Sequence, residues 1–184
     1  MDRKLIALVL ISALMCCCAS HTSHTLKLPN ASEKSGLKII LPFSKFPKNY
    51  TCDGADISPP IILENVSKKA KSIAVVMIDL DAPKGIFVHW VAWNIPANVS
   101  EIPENIPKKP VVYEPIRIVQ GRNDFGSIGY GGPCPPSGVH RYVINVYTLN
   151  CYLNLSPGSS ANALYRAMNG HVLQHAEVVI TYSR

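Results

Sequence analysis

Apolar residues in this chain recur in short unbroken runs or at every second position, the pattern of strands rather than of long helices. Residues 72–78 form a β-branched apolar run suited to a strand buried on both faces. Residues 38–43, 60–64, 86–95, 140–149 and 177–182 read as further strands, punctuated by Pro42, Pro96 and the Pro47-Lys48-Asn49 turn. One short helix is predicted after Ser159 or Ser160 as its N-cap. Ala163, Leu164, Ala167 and Met168 make its apolar face and Gly170 its stop. Residues 96–138 are rich in proline and glycine and show little periodicity. So long an irregular stretch within one domain points to function rather than filler. Many strands, one helix and heavy turn chemistry predict an all-β sandwich with a small helical addition.

The 184 residues fit a single domain, with 47% hydrophobic and only 16% charged residues. That charge content is too low for disorder and for a nucleic-acid binder that relies on phosphate contacts. The formal charge of +6 is spread thinly, with its densest cluster at Lys68, Lys69 and Lys71. The first twenty residues stand apart from the fold. Asp2-Arg3-Lys4 precedes an apolar run from Leu5 to Met15, and small residues follow at Cys18, Ala19 and Ser20. This is the pattern of a secretory signal. The Cys16-Cys17-Cys18 triplet raises a lipid anchor at the N-terminus as the alternative. Residues 1–20 are therefore expected to be a signal peptide or lipoprotein signal, 21–36 a flexible linker, and 37–184 the domain. The protein is expected to be exported, extracellular or periplasmic. Cys52, Cys134 and Cys151 remain in the domain, enough for one disulfide. Cys52–Cys134 is the favoured pair, since both lie in loops that border one site. Asn-x-Ser/Thr triplets occur at Asn30, Asn49, Asn65, Asn98 and Asn154.

The run from Gly121 to Tyr142 is the most informative stretch, a Gly/Pro-rich loop that delivers His140 and Tyr142 onto the start of a strand. Glycine lets backbone approach a ligand closely and proline stiffens the loop around it. Asp79 and Asp81 end one apolar run, and His89 interrupts another within Phe87-Val88-His89-Trp90. At period two, His140 and Tyr142 share one sheet face, and so do Asp79 and Asp81. Arg141 alternates away and reads as an ion-pair partner. Burying a carboxylate or imidazole is costly unless it is paired, so one shared site is cheaper than separate burials.

These residues carry a family resemblance. Asp79-Leu80-Asp81-Ala82-Pro83 resembles the D-x-D-A-P motif of the phosphatidylethanolamine-binding proteins. His89-Trp90 follows at the family's distance, and Gly132-Pro133 through His140-Arg141-Tyr142 resembles its G-P…G-x-H-R-Y motif. Cys52-Asp53-Gly54 with Ser58-Pro59-Pro60, and Tyr182-Ser183-Arg184, look like the prokaryotic, Raf-kinase-inhibitor-like branch. The resemblance spans residues 37–184. It implies a mainly β fold, a β-sandwich of two antiparallel sheets with one or two short helices, and an anion-binding pocket at one end. It carries ligand-binding roles to Asp79, Asp81, His89, His140 and Tyr142, with backbone from Gly132, Pro133 and Cys134. Animal members carry a C-terminal helix over the pocket, whereas the last element here is a strand, which weakens the expectation of animal-type kinase binding.

The expected function is non-enzymatic binding of a small phosphate-containing or carboxylate ligand, without a cofactor, with modulation of a kinase or protease partner. Loop amides near Gly131, Gly132 and Cys134 are expected to form a concave donor set for anion oxygens. Asp79 beside an anion makes sense if it holds an imidazole in its donating state, or if it receives the amine of a phosphoethanolamine head group. Binding of phosphate-type ligands is then expected to weaken above roughly pH 7–8. Two alternatives use the same residues. One is a metal site of Asp79, His89 and His140. The other is a hydrolase using Ser137, or Cys134 as a nucleophile with His140.

Overall fold

The computed structural model describes residues 29–33 and 36–184. The signal expected over 1–20 lies outside the described residues, as do residues 21–28 and 34–35 of the expected linker. Strands β1 (Lys38–Ile40), β2 (Ile61–Glu64), β3 (Ser72–Asp79), β4 (Phe87–Pro96) and β5 (Glu101–Ile102) come first. Then follow β6 (Val111–Val112), β7 (Ile118–Gln120), β8 (Val139–Leu149), helix α1 (Ala161–Met168) and β9 (Val172–Ser183). Strands β1-β2-β5 make one antiparallel sheet and β6-β7-β4-β3-β8-β9 the other. The expected two-sheet sandwich with a short helix is what the chain forms.

Strand β3 sits inside the larger sheet and all eight of its residues are buried. Its odd positions, Ile73, Val75 and Met77, face the smaller sheet and pack with Ile61, Leu63 and Ile102. Its even positions, Ala74, Val76 and Ile78, face α1 and pack with Leu164 and Met168. The unbroken apolar run therefore serves two cores at once, as a strand covered on both faces must.

The local expectations hold for the N-cap of α1 and need adjustment at β1, at β9, within 96–138 and on the buried face of α1. Strand β1 stops at Ile40, before the expected 43, and β9 begins at Val172, well before the expected 177. The stretch 96–138 contains the short strands β5, β6 and β7, whose two or three residues are too few to display a period. The N-cap of α1 is Ser160, whose hydroxyl accepts from Ala163 N–H. The buried face of α1 is Ala161, Leu164, Tyr165 and Met168, with Ala163 and Ala167 at its margin, because Tyr165 turns its ring toward Tyr147 on β8.

Candidate functional site

In the larger sheet, β3 ends, β4 starts, β8 starts and β9 ends at one pole. Register pairs Asp79 with Phe87 on one side and with Tyr142 on the other, and His140 with Tyr182. The polar residues predicted at strand ends are thus gathered by antiparallel pairing alone. His89 needs a further device. Met77 pairs with Trp90 but Ile78 pairs with Val88, so His89 is the extra residue of a β-bulge. Trp90 packs in the core between the sheets and Val88 in the core under α1. The bulge between them turns the imidazole toward Tyr142, whose ring centre lies 5.2 Å away.

Asp79 and His140 form the buried centre of the cluster. Asp79 Oδ2 accepts from His140 Nδ1 at 2.7 Å, and Asp79 Oδ1 accepts the Asp81 N–H at 2.8 Å. His140 stacks on Tyr142 with 6.4 Å between ring centres. Tyr142 is fully buried, and its hydroxyl has no hydrogen-bond partner of good geometry among the described residues. Burial pushes the Tyr142 phenol well above its ordinary range, and the nearby Asp79 charge adds to the shift. His89 donates from Nδ1 to the Gly131 carbonyl at 2.7 Å and is walled by Phe87, Phe125 and Tyr142. Burial holds its pKa below the ordinary histidine range, against the pull of the Gly131 carbonyl and of Asp79. With Nδ1 of both rings donating to protein, Nε2 is the atom each can offer a ligand. It accepts a proton when the ring is neutral and donates one when the ring is charged.

Asp81 stands outside this cluster. Arg141 binds its carboxylate through Nη2 at 2.6 Å and Nε at 2.9 Å, and the Arg141 backbone N–H adds a third bond. Those bonds hold Asp81 down at a pKa of about 2. Arg141 is the ion-pair partner it was expected to be, and Asp81 is the acid it serves.

The loop wall is built differently from expectation. Gly131 N–H donates to the His89 carbonyl and Gly132 N–H to Asp56 Oδ1 at 2.6 Å, so neither amide is open to an anion. Of the expected donor set this leaves the Cys134 amide, which lies beside the Tyr142 hydroxyl. Gly132 is present for space: a Cβ there would stand 2.6 Å from the Tyr50 carbonyl oxygen and 2.8 Å from Asp56 Oδ1. The wall is tied to the 49–56 segment by the Cys52–Cys134 disulfide, as favoured from sequence, and by bonds from Cys52 N–H to Pro133 O and Tyr130 Oη to Tyr50 O. Asp53 in that segment accepts from Tyr182 Oη at 2.7 Å and from Arg184, so the two terminal motifs of the domain meet beside the site.

A cavity of about 240 Å³ flanks the same wall and is lined by Cys52, Asp56, Lys108, Phe125, Tyr130 and Gly132 among others, but not by Asp79, His89, His140 or Tyr142. Its two charged groups are already paired with each other, Asp56 with Lys108 at 2.5 Å, and Asp56 also accepts from Gly132 N–H. The polar chemistry lies with the histidine cluster. Asp56, Phe87 and Phe125 were missed from sequence. Phe87 and Phe125 carry only an apolar signal, and Asp56 lay in a segment read simply as loop. Among the described residues, no group of three or more His, Cys, Asp or Glu side chains is arranged to hold a metal ion.

Residues 38–183 match the family model described as phosphatidylethanolamine-binding protein. A UPF0098 protein of Pyrococcus horikoshii is 52% identical over 157 residues, covering 83% of this chain and 79% of that relative. The crystal structure of a phosphatidylethanolamine-binding protein homologue from Chlamydia trachomatis superposes with a TM-score of 0.73 at 34% identity, covering 80% of this chain and 97% of the other. Escherichia coli YbcL, described as a member of the mammalian PEBP family, gives a TM-score of 0.73 at 29% identity over 82% of this chain and 99% of its own. With both sheets, the Asp79–His140 pair and the family match in agreement, the chain belongs to the phosphatidylethanolamine-binding protein family.

Proposed function

We propose that this protein is an exported, non-enzymatic binding protein whose Asp79, His89, His140 and Tyr142 pocket takes a phosphate or another small anionic group. The observation that carries this reading is the Tyr142 hydroxyl, buried without a good partner between two imidazoles that each have Nε2 to offer. A buried polar group left unmet costs about 1–3 kcal/mol, which a ligand oxygen at that point would recover. Asp79 fits as the residue that orients His140, since both its oxygens already accept hydrogen bonds from protein. Export is supported by the leader pattern and by the disulfide, a bond that persists in oxidising compartments.

A protein partner of the kinase or protease kind fits the surroundings of the pocket. Leu80, Ile86, Phe125 and Val139 adjoin the site residues in sequence or contact them, and all four are exposed apolar side chains. The hydrolase alternative loses its better nucleophile, because Cys134 is in a disulfide and has no thiolate to attack with.

Calorimetric titration of the domain with phosphoethanolamine at pH 6 and pH 8, beside His140→Ala, tests the pocket. Binding that is tighter at pH 6 and lost in the variant is expected. Absence of heat at both pH values overturns the anion reading.

A further inference from the structure

Five of the chain's 12 asparagines begin an Asn-x-Ser/Thr triplet with no proline in the middle. Serine and threonine occupy 21 of 184 positions, so composition alone gives about one or two such triplets. The excess is matched by placement. Asn30, Asn49, Asn65, Asn98 and Asn154 are all exposed, and none lies in a strand or in α1. Asparagines outside these triplets include the buried Asn123 and Asn145.

Four of the five also gather at one place. Asn98 follows the end of β4. Asn65 sits in the turn after β2 with a left-handed φ of 59°, and its carbonyl accepts from Gln174 near the start of β9. Asn30 is two residues from Ser32, which bonds to Val172 at that same start. Asn154 is next to Leu153, which exchanges two bonds with Asn94 near the end of β4. All four lie toward the pole where β3 begins at Ser72, whereas the pocket lies where β3 ends at Asp79. At a strand rise of ~3.3 Å per residue the two poles are about 23 Å apart. Asn49 differs from these. Its triplet closes on Thr51, which is fully buried, whereas Ser32, Ser67, Ser100 and Ser156 of the other triplets are not.

We infer that Asn30, Asn65, Asn98 and Asn154 are acceptors for N-linked oligosaccharide, so that the protein carries its glycans on the pole opposite the pocket. The donor is a lipid-linked sugar phosphate. The Asn side-chain nitrogen bonds to the anomeric carbon as the carbon–oxygen bond to phosphate breaks. The lipid phosphate leaves with the electron pair, one amide proton is released, and nothing is oxidised or reduced. Pro157 directly follows the Asn154 triplet and restricts the backbone of Ser156, so occupancy is lowest there. The inference rests on export and not on the identity of the ligand.

The test is peptide mass spectrometry of the full chain recovered from the cells that naturally make it, with Asn65→Gln and Asn98→Gln variants expressed in the same cells. Sugar mass increments on the Asn65 and Asn98 peptides, lost in the respective variants and absent from the Asn49 peptide, are expected. Phosphoethanolamine binding should be unchanged in both variants, which separates this outcome from that of the pocket. Unmodified peptides at all four positions in exported protein overturn the inference, as does recovery of the intact chain in the cytosol. Modification at Asn49 alone overturns the polar distribution.

Discussion

His89 donates its Nδ1 proton to the carbonyl of Gly131 at 2.7 Å, so a strand residue and the loop wall hold each other in place. Because burial keeps the His89 pKa below its ordinary value, the unfolded chain takes up the proton at higher pH than the folded one. Stability is therefore full above about pH 6.5 and falls as pH drops through the window below it. His175, also held low by burial, acts in the same direction. Thermal melts between pH 5 and 8 should show the midpoint falling on the acid side, and a flat profile would contradict it.

A bound anion favours the charged form of His89, so it should restore part of what acid removes. Phosphate is expected to raise the melting midpoint more at pH 6 than at pH 8. For His89 this places the gain in affinity below about pH 6.5, lower than the roughly 7–8 expected for an imidazole held in its donating state by Asp79. Equal midpoint shifts at the two pH values would remove His89 from the binding step.

Tyr142→Phe separates stability from binding. Removing a buried hydroxyl that lacks a good partner should leave the midpoint unchanged or slightly higher. Affinity for phosphoethanolamine should fall by about tenfold, the value of one hydrogen bond of about 1.4 kcal/mol. Calorimetry and a melt on the same sample suffice.

Asp79→Asn and Asp81→Asn should diverge. The first removes the carboxylate that orients His140 and should cost most of the anion affinity at pH 6. The second frees Arg141 but leaves the cluster intact, so affinity at pH 6 should hardly change. Asp81 titrates low in the folded state, so its stabilising contribution is present above the ordinary carboxylate pKa and lost as pH falls toward about 2. Acid unfolding of Asp81→Asn should be less steep in that range.

Gly132→Ala forces a methyl against the Tyr50 carbonyl and Thr51 Cα of the backbone and against the Asp56 carboxylate, and should cost about 1–3 kcal/mol in urea unfolding. Reduction of Cys52–Cys134 releases a link spanning 82 residues and should cost about 2–4 kcal/mol. A reduced protein with an unchanged midpoint would show that the hydrogen bonds alone hold the wall.

The fold was legible where a period is long enough to read. The eight residues of β3 announce a strand between two cores, and the pairing of Asp79 with His140 follows from strand ends and alternation. The placement of His89 was not legible in this way. Strict alternation gives no sign of a bulge, which depends on how β4 meets β3 across the sheet. The Gly131 and Gly132 amides were misread for a related reason. Their acceptors, the His89 carbonyl and the Asp56 carboxylate, are distant in sequence, and only the assembled fold shows that these donors are already engaged.

The bonds that tie the Gly131–Cys134 wall to the 49–56 segment also bear on how the pocket chooses. A loop closed covalently before any guest arrives has little ordering entropy left to lose, and equally little freedom to adapt. For the pocket proposed above, such a wall would act as a fixed gauge, admitting groups that match its dimensions and turning away larger ones by collision, with no closing motion of the wall needed for capture.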